Sequence, residues 1–269
     1  MNLEGAVAAA RERARALRVD PQLTISEVYL AELLGRLRRR LRGTVVWKGG
    51  AVLRLEGSER FSRDLDGTRR SASATGEALG AALDEAAENL PYLVGMTKAI
   101  KPQSVTAAYG MEAPGLRQTL RIEVDISLRE RVLLPPAAIS TARIAHPYGL
   151  LPVVVARLSP AELLAEKVRA LVMRGAGRDL YDVYWLLQRG VELDAGLFRE
   201  KMEYYPRAGA TIDPAGAVER AIRRLESFSP SRAKAELIHL LPAAGRHLDL
   251  GIIAEDVSRA LRSRLAGSR

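Results

Sequence analysis

The chain has 269 residues, with 41 lysines and arginines against 32 aspartates and glutamates, which gives a formal net charge of +9 at pH 7. Its 48% of hydrophobic residues is close to the globular average, so the composition excludes a disordered chain and suits one large domain or two of ordinary size. The sequence has no cysteine, which excludes structural disulfides, thiolate zinc sites and cysteine nucleophiles.

The basic charge favours a polyanionic partner such as RNA, DNA or a nucleotide. The alternative is that arginines merely cover solvated helices, and charge alone does not decide between the two. His146, His239 and His247 lack the two-histidine spacing of a helical zinc site, so we assign them no role.

The N-terminus carries charged residues where a signal peptide needs an apolar block, namely Glu4, Arg11, Glu12 and Arg13. The longest apolar stretch, around Leu150–Ala156, is too short to span a bilayer. We therefore expect a soluble, cytoplasmic protein without a membrane partner.

In chain order, the first 41 residues predict two helices, one rich in alanine and arginine and one with leucines at helical spacing. From Thr44 the pattern changes to a short apolar strand at Val45–Trp47, two glycines, a brief helix through Leu55 and a second strand at Asp64–Asp66. A helix near residues 75–89 follows, and then strands near 92–100, 104–111 and 117–127.

Prolines predict a loop-rich bridge between Pro135 and Pro152, and beyond Ser159 the apolar period is helical. Ser159, Pro160 and Glu162 form a capping box with proline at the first helical position. We therefore expect an α+β domain with a mixed sheet flanked by helices over residues 1–158, and a helical domain over residues 159–269.

Asp64 and Asp66 are the first candidates for chemistry, because a spacing of two on an extended segment points both carboxylates to one side. Hard oxygen ligands so placed suit Mg²⁺ or Mn²⁺. Such pairs also occur in polar turns, and Gly67, which follows directly, keeps that alternative open.

The segment upstream favours a phosphate site. Gly49 and Gly50 follow Lys48 between an apolar strand and a short helix, where backbone amides can approach a phosphate. Nucleotide transfer needs both features, because a triphosphate must be held on one side while a metal bridges its oxygens on the other.

A third carboxylate is expected on a neighbouring strand. Residues 121–127 alternate polar and apolar side chains, and Asp125 is our candidate for a third metal ligand. Glu123 shares its face and is the fallback, and a solvated strand face is the alternative to both.

A second charged cluster lies in the helical half, around the Gly175–Gly177 turn. Asp179 and Asp182 share one face of the helix that follows it. One interpretation is a set of interhelical salt bridges; the other is a lysine that grips phosphates, with an aspartate that holds the lysine or orients the acceptor. The members of the cluster are Lys167, Arg174, Arg178, Asp179 and Asp182.

The order of these motifs resembles the AbiEii family of the nucleotidyltransferase superfamily, which includes the mycobacterial MenT toxins. The matching stretches are Trp47–Arg54, Arg60–Asp66, Glu123–Ile126, Leu158–Lys167 and Arg178–Asp182. Together they span about half of the chain, from Val45 to Leu187.

The resemblance implies a catalytic set, in which Asp64 and Asp66 bind the metal, Lys167 is the catalytic or phosphate-contacting lysine, and Asp182 or Asp179 is a late essential aspartate. Ser62 matches a serine that some relatives carry phosphorylated. The nucleotide-binding candidates are Lys48, Gly49, Gly50, Ser62, Arg174, Arg178 and Asp179. The family commonly has serine or threonine where this chain has Ala51, so one hydroxyl contact to phosphate is missing.

The resemblance also implies a biology. A toxin of this kind transfers nucleotides from a nucleoside triphosphate to the 3′ end of tRNA with Mg²⁺ or Mn²⁺, blocks translation, and is neutralised by a cognate antitoxin. We expect the active site in the cleft between the two domains. The alternatives are a nucleotidyltransferase that acts on a small molecule or a protein, and a catalytically silent module that binds RNA or an antitoxin.

Overall fold

A computed structural model describes residues 2–41, 43–205 and 229–266, together with positions 216, 219, 222, 223, 225 and 226. The chain divides into two compact units. The first comprises Met1–Leu158 and Leu240–Gly245, and the second comprises Ser159–His239 and Arg246–Arg269.

The first unit contains both helices and strands, including every strand of the described chain. Its helices are α1 (Leu3–Leu17), α2 (Pro21–Leu41), α3 (Gly49–Glu56), α4 (Gly76–Ala87), α5 (Ala142–Ala145) and a 3₁₀ turn at His146–Tyr148. Its strands are β1 (Val45–Lys48), β2 (Asp64–Arg69), β3 (Leu93–Lys101), β4 (Ser104–Met111), β5 (Leu120–Ser127), β6 (Ala137–Ser140) and β7 (Val154–Arg157).

The seven strands form one sheet in the order β3-β4-β5-β2-β1-β7-β6. The β1–β7 and β2–β5 pairs are parallel and the other pairs are antiparallel, so the sheet is mixed. This confirms the predicted α+β class with a mixed sheet.

One face of the sheet carries the apolar core. Alternate residues of β5 are buried there, namely Ile122, Val124 and Ile126, and α2 and α4 pack against this sheet. The Tyr109 hydroxyl donates a hydrogen bond to the Leu83 carbonyl of α4, at 2.9 Å. Because side chains alternate along each strand, the polar residues of the same strands lie on the opposite face.

The segment that we expected to be a loop-rich bridge contains β6, α5 and the 3₁₀ turn, and β7 follows it directly, so that prediction was wrong for most of its length. Thr141 is buried between these elements, and its hydroxyl accepts a hydrogen bond from the Val153 amide at 2.9 Å. Strands of four residues between prolines are too short to show an alternating pattern.

The described part of the second unit is helical, as predicted. Ser159 Oγ accepts a hydrogen bond from the Glu162 amide at the start of the first helix, and Gly175 ends that helix with φ +63°. The helices are α6 (Pro160–Arg174), α7 (Gly177–Gln188), α8 (Ala195–Glu203), α9 (Pro230–Ile238) and α10 (Leu250–Ala266). Throughout the described ranges, no helix is both long enough and apolar enough to cross a membrane.

The chain returns to the first unit late, at Leu240–Gly245. The Phe61 amide donates a hydrogen bond to the Leu240 carbonyl at 2.8 Å. The Leu240 side chain packs against a small apolar cluster formed by Ala14, Val19, Leu23 and Phe61. No pattern in the sequence indicates this return.

Candidate active site

The sheet brings the predicted carboxylates together on its polar face. Asp64 and Asp66 lie on β2, which is parallel to β5, and the register pairs Asp64 with Glu123 and Asp66 with Asp125. Paired residues of neighbouring strands point to the same face. The Asp-x-Asp pair is therefore on a strand, and the turn that Gly67 had left open as an alternative is excluded.

The polar face is accessible at these positions. Asp64 and Asp66 are half-buried, whereas Glu123 and Asp125 are exposed. Glu123 forms an ion pair with Arg121 on its own strand, at 2.6 Å. Within the part of the chain that the structure describes, no hydrogen bond or ion pair engages the carboxylates of Asp66 and Asp125.

Charge repulsion and partial desolvation act on Asp125. Although the residue as a whole is exposed, desolvation of its carboxyl group raises its pKa, and the neighbouring Asp66 raises it further. The Lys48 ammonium group lowers the pKa of Asp125, and Glu130 raises it. A cation placed beside Asp125 and the neighbouring Asp66 carboxylate would therefore gain electrostatic stabilisation.

The two glycines are the first residues of α3 and do not form a separate turn before it. A Cβ atom on Gly49 would lie 2.1 Å from Asp66 Oδ2. A Cβ atom on Gly50 would lie 2.4 Å from Arg60 Nη2 and 3.0 Å from Ser62 Oγ. The missing side chains therefore let a carboxylate, a guanidinium and a hydroxyl lie against the first turn of α3.

The segment that leads into β2 is buried and held in place. Ser62 donates a hydrogen bond to the Asp64 carbonyl at 3.3 Å, and Arg60 donates one to the Phe61 carbonyl at 3.0 Å. The Arg54 guanidinium of α3 lies 4.3 Å from the centre of the Phe61 ring and forms an ion pair with Glu27 of α2. These contacts fix the position of the chain segment that precedes Asp64.

Lys48, a predicted nucleotide-binding residue, lies in a buried ion pair with Glu130. Glu130 also accepts a hydrogen bond from the Thr68 hydroxyl, at 3.4 Å. Sequence reasoning missed Glu130, because it stands between two arginines after β5 and reads as part of a charged loop. No sequence signal separates it from a solvent-exposed residue.

In the second unit, Lys167 of α6 and Asp182 of α7 form an interhelical ion pair with Nζ and Oδ2 2.8 Å apart. Asp182 is fully buried, and the Lys167 side chain is 9% exposed. The structure therefore pairs the predicted lysine with Asp182, one of its two candidate aspartates, and this pair is compatible with an interhelical salt bridge as well as with a lysine held for phosphate binding.

The other members of this cluster have different positions. Arg174 binds Asp179 through two hydrogen bonds, each of 2.8 Å, and Asp179 is buried. Asp179 and Asp182 thus lie on the same face of α7, but Asp179 pairs with Arg174 whereas Asp182 pairs with Lys167. Arg178 is exposed.

A buried charge triad in the second unit was missed. Lys201 of α8 is fully buried, and its Nζ lies 2.7 Å from Glu162 and 2.9 Å from Glu166 of α6. The two glutamates are four residues apart, which places them on one face of the helix. That spacing was visible in the sequence, but the lysine that joins them, 35 residues further on, was not.

The described carboxylates of this face do not form a complete metal site by themselves, but two of them suit a partly hydrated Mg²⁺. Among the described residues, no group of three His, Cys, Asp or Glu side chains is arranged to hold a metal ion. Mg²⁺ commonly binds through one or two carboxylates and completes its shell with water and substrate phosphates. The register-paired carboxylates of Asp66 and Asp125 fit that smaller set.

The sheet carries paired carboxylates on its polar face, next to a helix that begins with two glycines. This arrangement is the one expected of the nucleotidyltransferases as a class. The family is narrower than the class. Residues 32–259 match the family model described as nucleotidyl transferase AbiEii toxin, type IV toxin–antitoxin system. Because the match spans most of the chain, this protein belongs to the AbiEii family of toxin nucleotidyltransferases, which confirms the resemblance seen in the sequence.

Solved structures of low identity share the fold. MenT4, a nucleotidyltransferase toxin from Mycobacterium tuberculosis H37Rv, is 17% identical, with a TM-score of 0.54 over 100% of this chain and 99% of that one. JHP933 from Helicobacter pylori is 16% identical, with a TM-score of 0.51 over 90% of this chain and 96% of that one. No curated protein matches the sequence.

Proposed function

We propose that this protein is a metal-dependent nucleotidyltransferase that transfers nucleotides from a nucleoside triphosphate to the 3′ end of tRNA and thereby blocks translation. The observation that carries the proposal is the register of β2 with β5, which sets Asp66 beside Asp125 on an accessible face. Family membership supports nucleotide transfer by a toxin, and the acceptor is the part that we infer.

Asp66 and Asp125 are the residues proposed to hold Mg²⁺ or Mn²⁺, and Asp64, the other predicted metal ligand, lies two residues before Asp66 on the same strand. A divalent ion there would neutralise charge on the triphosphate and lower the pKa of the attacking hydroxyl. Gly49 and Gly50 bring the first turn of α3 directly against Asp66 and Ser62, and the backbone amides of that turn are the proposed donors to phosphate oxygens. Ser62 presents a hydroxyl to that same turn, which partly makes up for the missing side-chain oxygen of Ala51.

Lys167 is the proposed phosphate-binding lysine, and Asp182 is proposed to orient its ammonium group. The pair is buried and short, so the lysine is held in one position before any nucleotide binds. Arg178 is exposed and supplies a second proposed phosphate contact, and the bidentate pair of Arg174 with Asp179 fixes the turn on which Arg178 lies.

The proposed reaction is an in-line displacement at the α-phosphorus of the nucleoside triphosphate. The 3′ hydroxyl oxygen of the acceptor forms a bond to that phosphorus, and the bond from the α-phosphorus to the bridging oxygen breaks. Pyrophosphate leaves with the bonding electrons, and the proton of the hydroxyl passes to solvent. Positive groups that lie on the triphosphate stabilise the charge that develops on the leaving group.

The net charge of +9 supports tRNA as the acceptor, because it favours a polyphosphate backbone over a neutral small molecule. This acceptor places the reaction in the cytoplasm. A toxin of this family is expected to have a cognate antitoxin as its partner.

The test incubates purified protein with total tRNA, Mg²⁺ and each α-labelled nucleoside triphosphate in turn, and resolves the RNA on a gel. We expect label on tRNA with the wild type, and none with Asp66→Asn or Asp125→Asn. Glu123→Gln is the matched control, since it removes an exposed acid from the same face and should retain activity.

Other outcomes assign other functions. Label on a protein or on a small hydroxylated molecule, with none on tRNA, would replace the acceptor. If calorimetry with each triphosphate in Mg²⁺ shows no binding, the chain is a catalytically silent module. A salt-independent interaction with tRNA would also contradict the proposal, because phosphate contacts make affinity fall steeply with salt.

A further inference from the structure

Glu130 has an unusual place for an acid. It follows β5 and is only 2% exposed, and its carboxylate receives the ammonium group of Lys48 and the hydroxyl of Thr68. Its backbone amide donates a hydrogen bond to Ser127 Oγ at 3.3 Å, which fixes the start of the segment after the strand. The residue is thus built into the sheet at a position next to the acidic face.

Lys48 lies among the carboxylates that are proposed to bind the metal. The β1–β2 register pairs Lys48 with Asp66, so both side chains emerge on the same face of the sheet. Asp66 is in turn register-paired with Asp125 of β5, so the Lys48 side chain emerges on the face that carries both carboxylates. The ion pair that the structure shows for Lys48 is with Glu130.

A lysine in this position is a potential competitor of the metal. An ammonium group forms ion pairs with carboxylates at short range, and a carboxylate so paired is a weaker ligand for a divalent cation. The ion pair with Glu130 opposes this competition, because two charges attract each other more strongly in a buried, low-dielectric position than on a solvated face.

We propose that Glu130 is a positioning residue that holds the Lys48 ammonium group away from Asp66 and Asp125 and so keeps both carboxylates available to a divalent cation. The proposal rests on the metal site of the proposed function. It assigns Glu130 no contact with the nucleotide or the reacting atoms.

The test measures Mn²⁺ binding to nucleotide-free protein through the electron paramagnetic resonance signal of the free ion, without any turnover. We expect Glu130→Gln to weaken Mn²⁺ binding by about 10- to 100-fold, the usual effect of losing a group that supports metal ligands. Adding Lys48→Met to Glu130→Gln should restore most of the affinity, since the competing ammonium group is then gone. Lys48→Met alone should bind Mn²⁺ at least as tightly as the wild type.

Two further variants keep the test sharp. Glu85→Gln removes an acid of the same type that pairs with Arg40 at the surface, and it should bind Mn²⁺ like the wild type. If Glu130→Gln does not fold, Glu130→Asp takes its place. It keeps the charge on a shorter side chain, and we expect weaker Mn²⁺ binding that Lys48→Met again corrects.

Unchanged Mn²⁺ affinity in the folded Glu130 variant overturns the proposal, and so does a loss of affinity that Lys48→Met fails to correct. Asp66→Asn separates this failure from failure of the proposed function. If Asp66→Asn leaves Mn²⁺ binding intact, the metal site itself is wrong. If it abolishes binding while the Glu130 variants are normal, only the role of Glu130 is wrong.

Discussion

The side chain of Asp66 fills the space beside Gly49 that a Cβ atom would need, with Oδ2 only 2.1 Å from the position of that atom. Gly49 also has φ +74°, which costs other residues about 1–2 kcal/mol. We expect Gly49→Ala to lose nucleotide transfer almost completely, because Asp66 must move. The free energy of unfolding of this variant, measured in urea, should fall by the cost of the backbone strain and by a further cost of the steric clash between the new Cβ atom and Asp66.

Gly43→Ala is the control for backbone strain. Gly43 has φ +79°, and a Cβ atom placed on it would meet nothing within 4 Å. This variant should lose stability through strain alone and keep its activity. Equal activities in the two variants would show that the closeness of Gly49 to Asp66 has no functional value.

Asp125 makes stability depend on pH. Its pKa is raised in the folded protein, so the folded state binds this proton more tightly than the unfolded state does. Its ionisation therefore removes stability as the pH rises through the folded-state value. In metal-free buffer, Asp125→Asn should raise the melting temperature at pH 7 and have almost no effect near pH 3, below the ordinary aspartate pKa of about 3.9. A gain of the same size at both pH values would contradict this.

The Lys167–Asp182 pair allows structure and chemistry to be separated. Either Lys167→Met or Asp182→Asn leaves one buried partner uncompensated and should cost about 3–5 kcal/mol of unfolding free energy, measured in urea. The double variant removes both charges and should recover much of that loss. Recovered stability with no recovery of transfer would assign the lysine a chemical role, whereas recovery of both would leave only an interhelical salt bridge.

Lys201 is expected to be costly to remove, because it is fully buried beside two glutamates. Lys201→Met leaves Glu162 and Glu166 buried without their cation, and we expect a loss of about 3–5 kcal/mol in urea unfolding. Lys98→Met, which removes a largely exposed pair with Asp84, should cost less than about 1 kcal/mol. Similar losses in the two variants would mean that the triad does not anchor α6.

The sequence predicted which carboxylates lie on the polar face of the sheet, because that prediction depends on local strand geometry. Alternation along residues 121–127 and the spacing of Asp64 and Asp66 depend only on local strand geometry, so both could be read directly. Which strand lies beside which is a matter of tertiary pairing. The parallel β2–β5 register, which puts Asp66 next to Asp125, joins residues about 60 positions apart and leaves no local signal.

The buried ion pairs were beyond sequence reasoning for the same reason. Lys48 looked like a phosphate ligand because it precedes two glycines, and its pairing with Glu130 arises only when the segment after β5 folds back. In the second unit, Lys167 and Asp182 were proposed together because a family resemblance linked them. Spacing alone had left salt bridge and catalysis equally open.

The late return of the chain at Leu240 bears on how the protein is made. The ribosome must add some 180 residues after Phe61 before the carbonyl that receives its amide exists, and Phe61 lies three residues before Asp64. A polypeptide released before Leu240 is added therefore lacks this hydrogen bond to the segment that precedes Asp64. For a toxin, we therefore expect abortive products that end before Leu240 to be less active than the full chain.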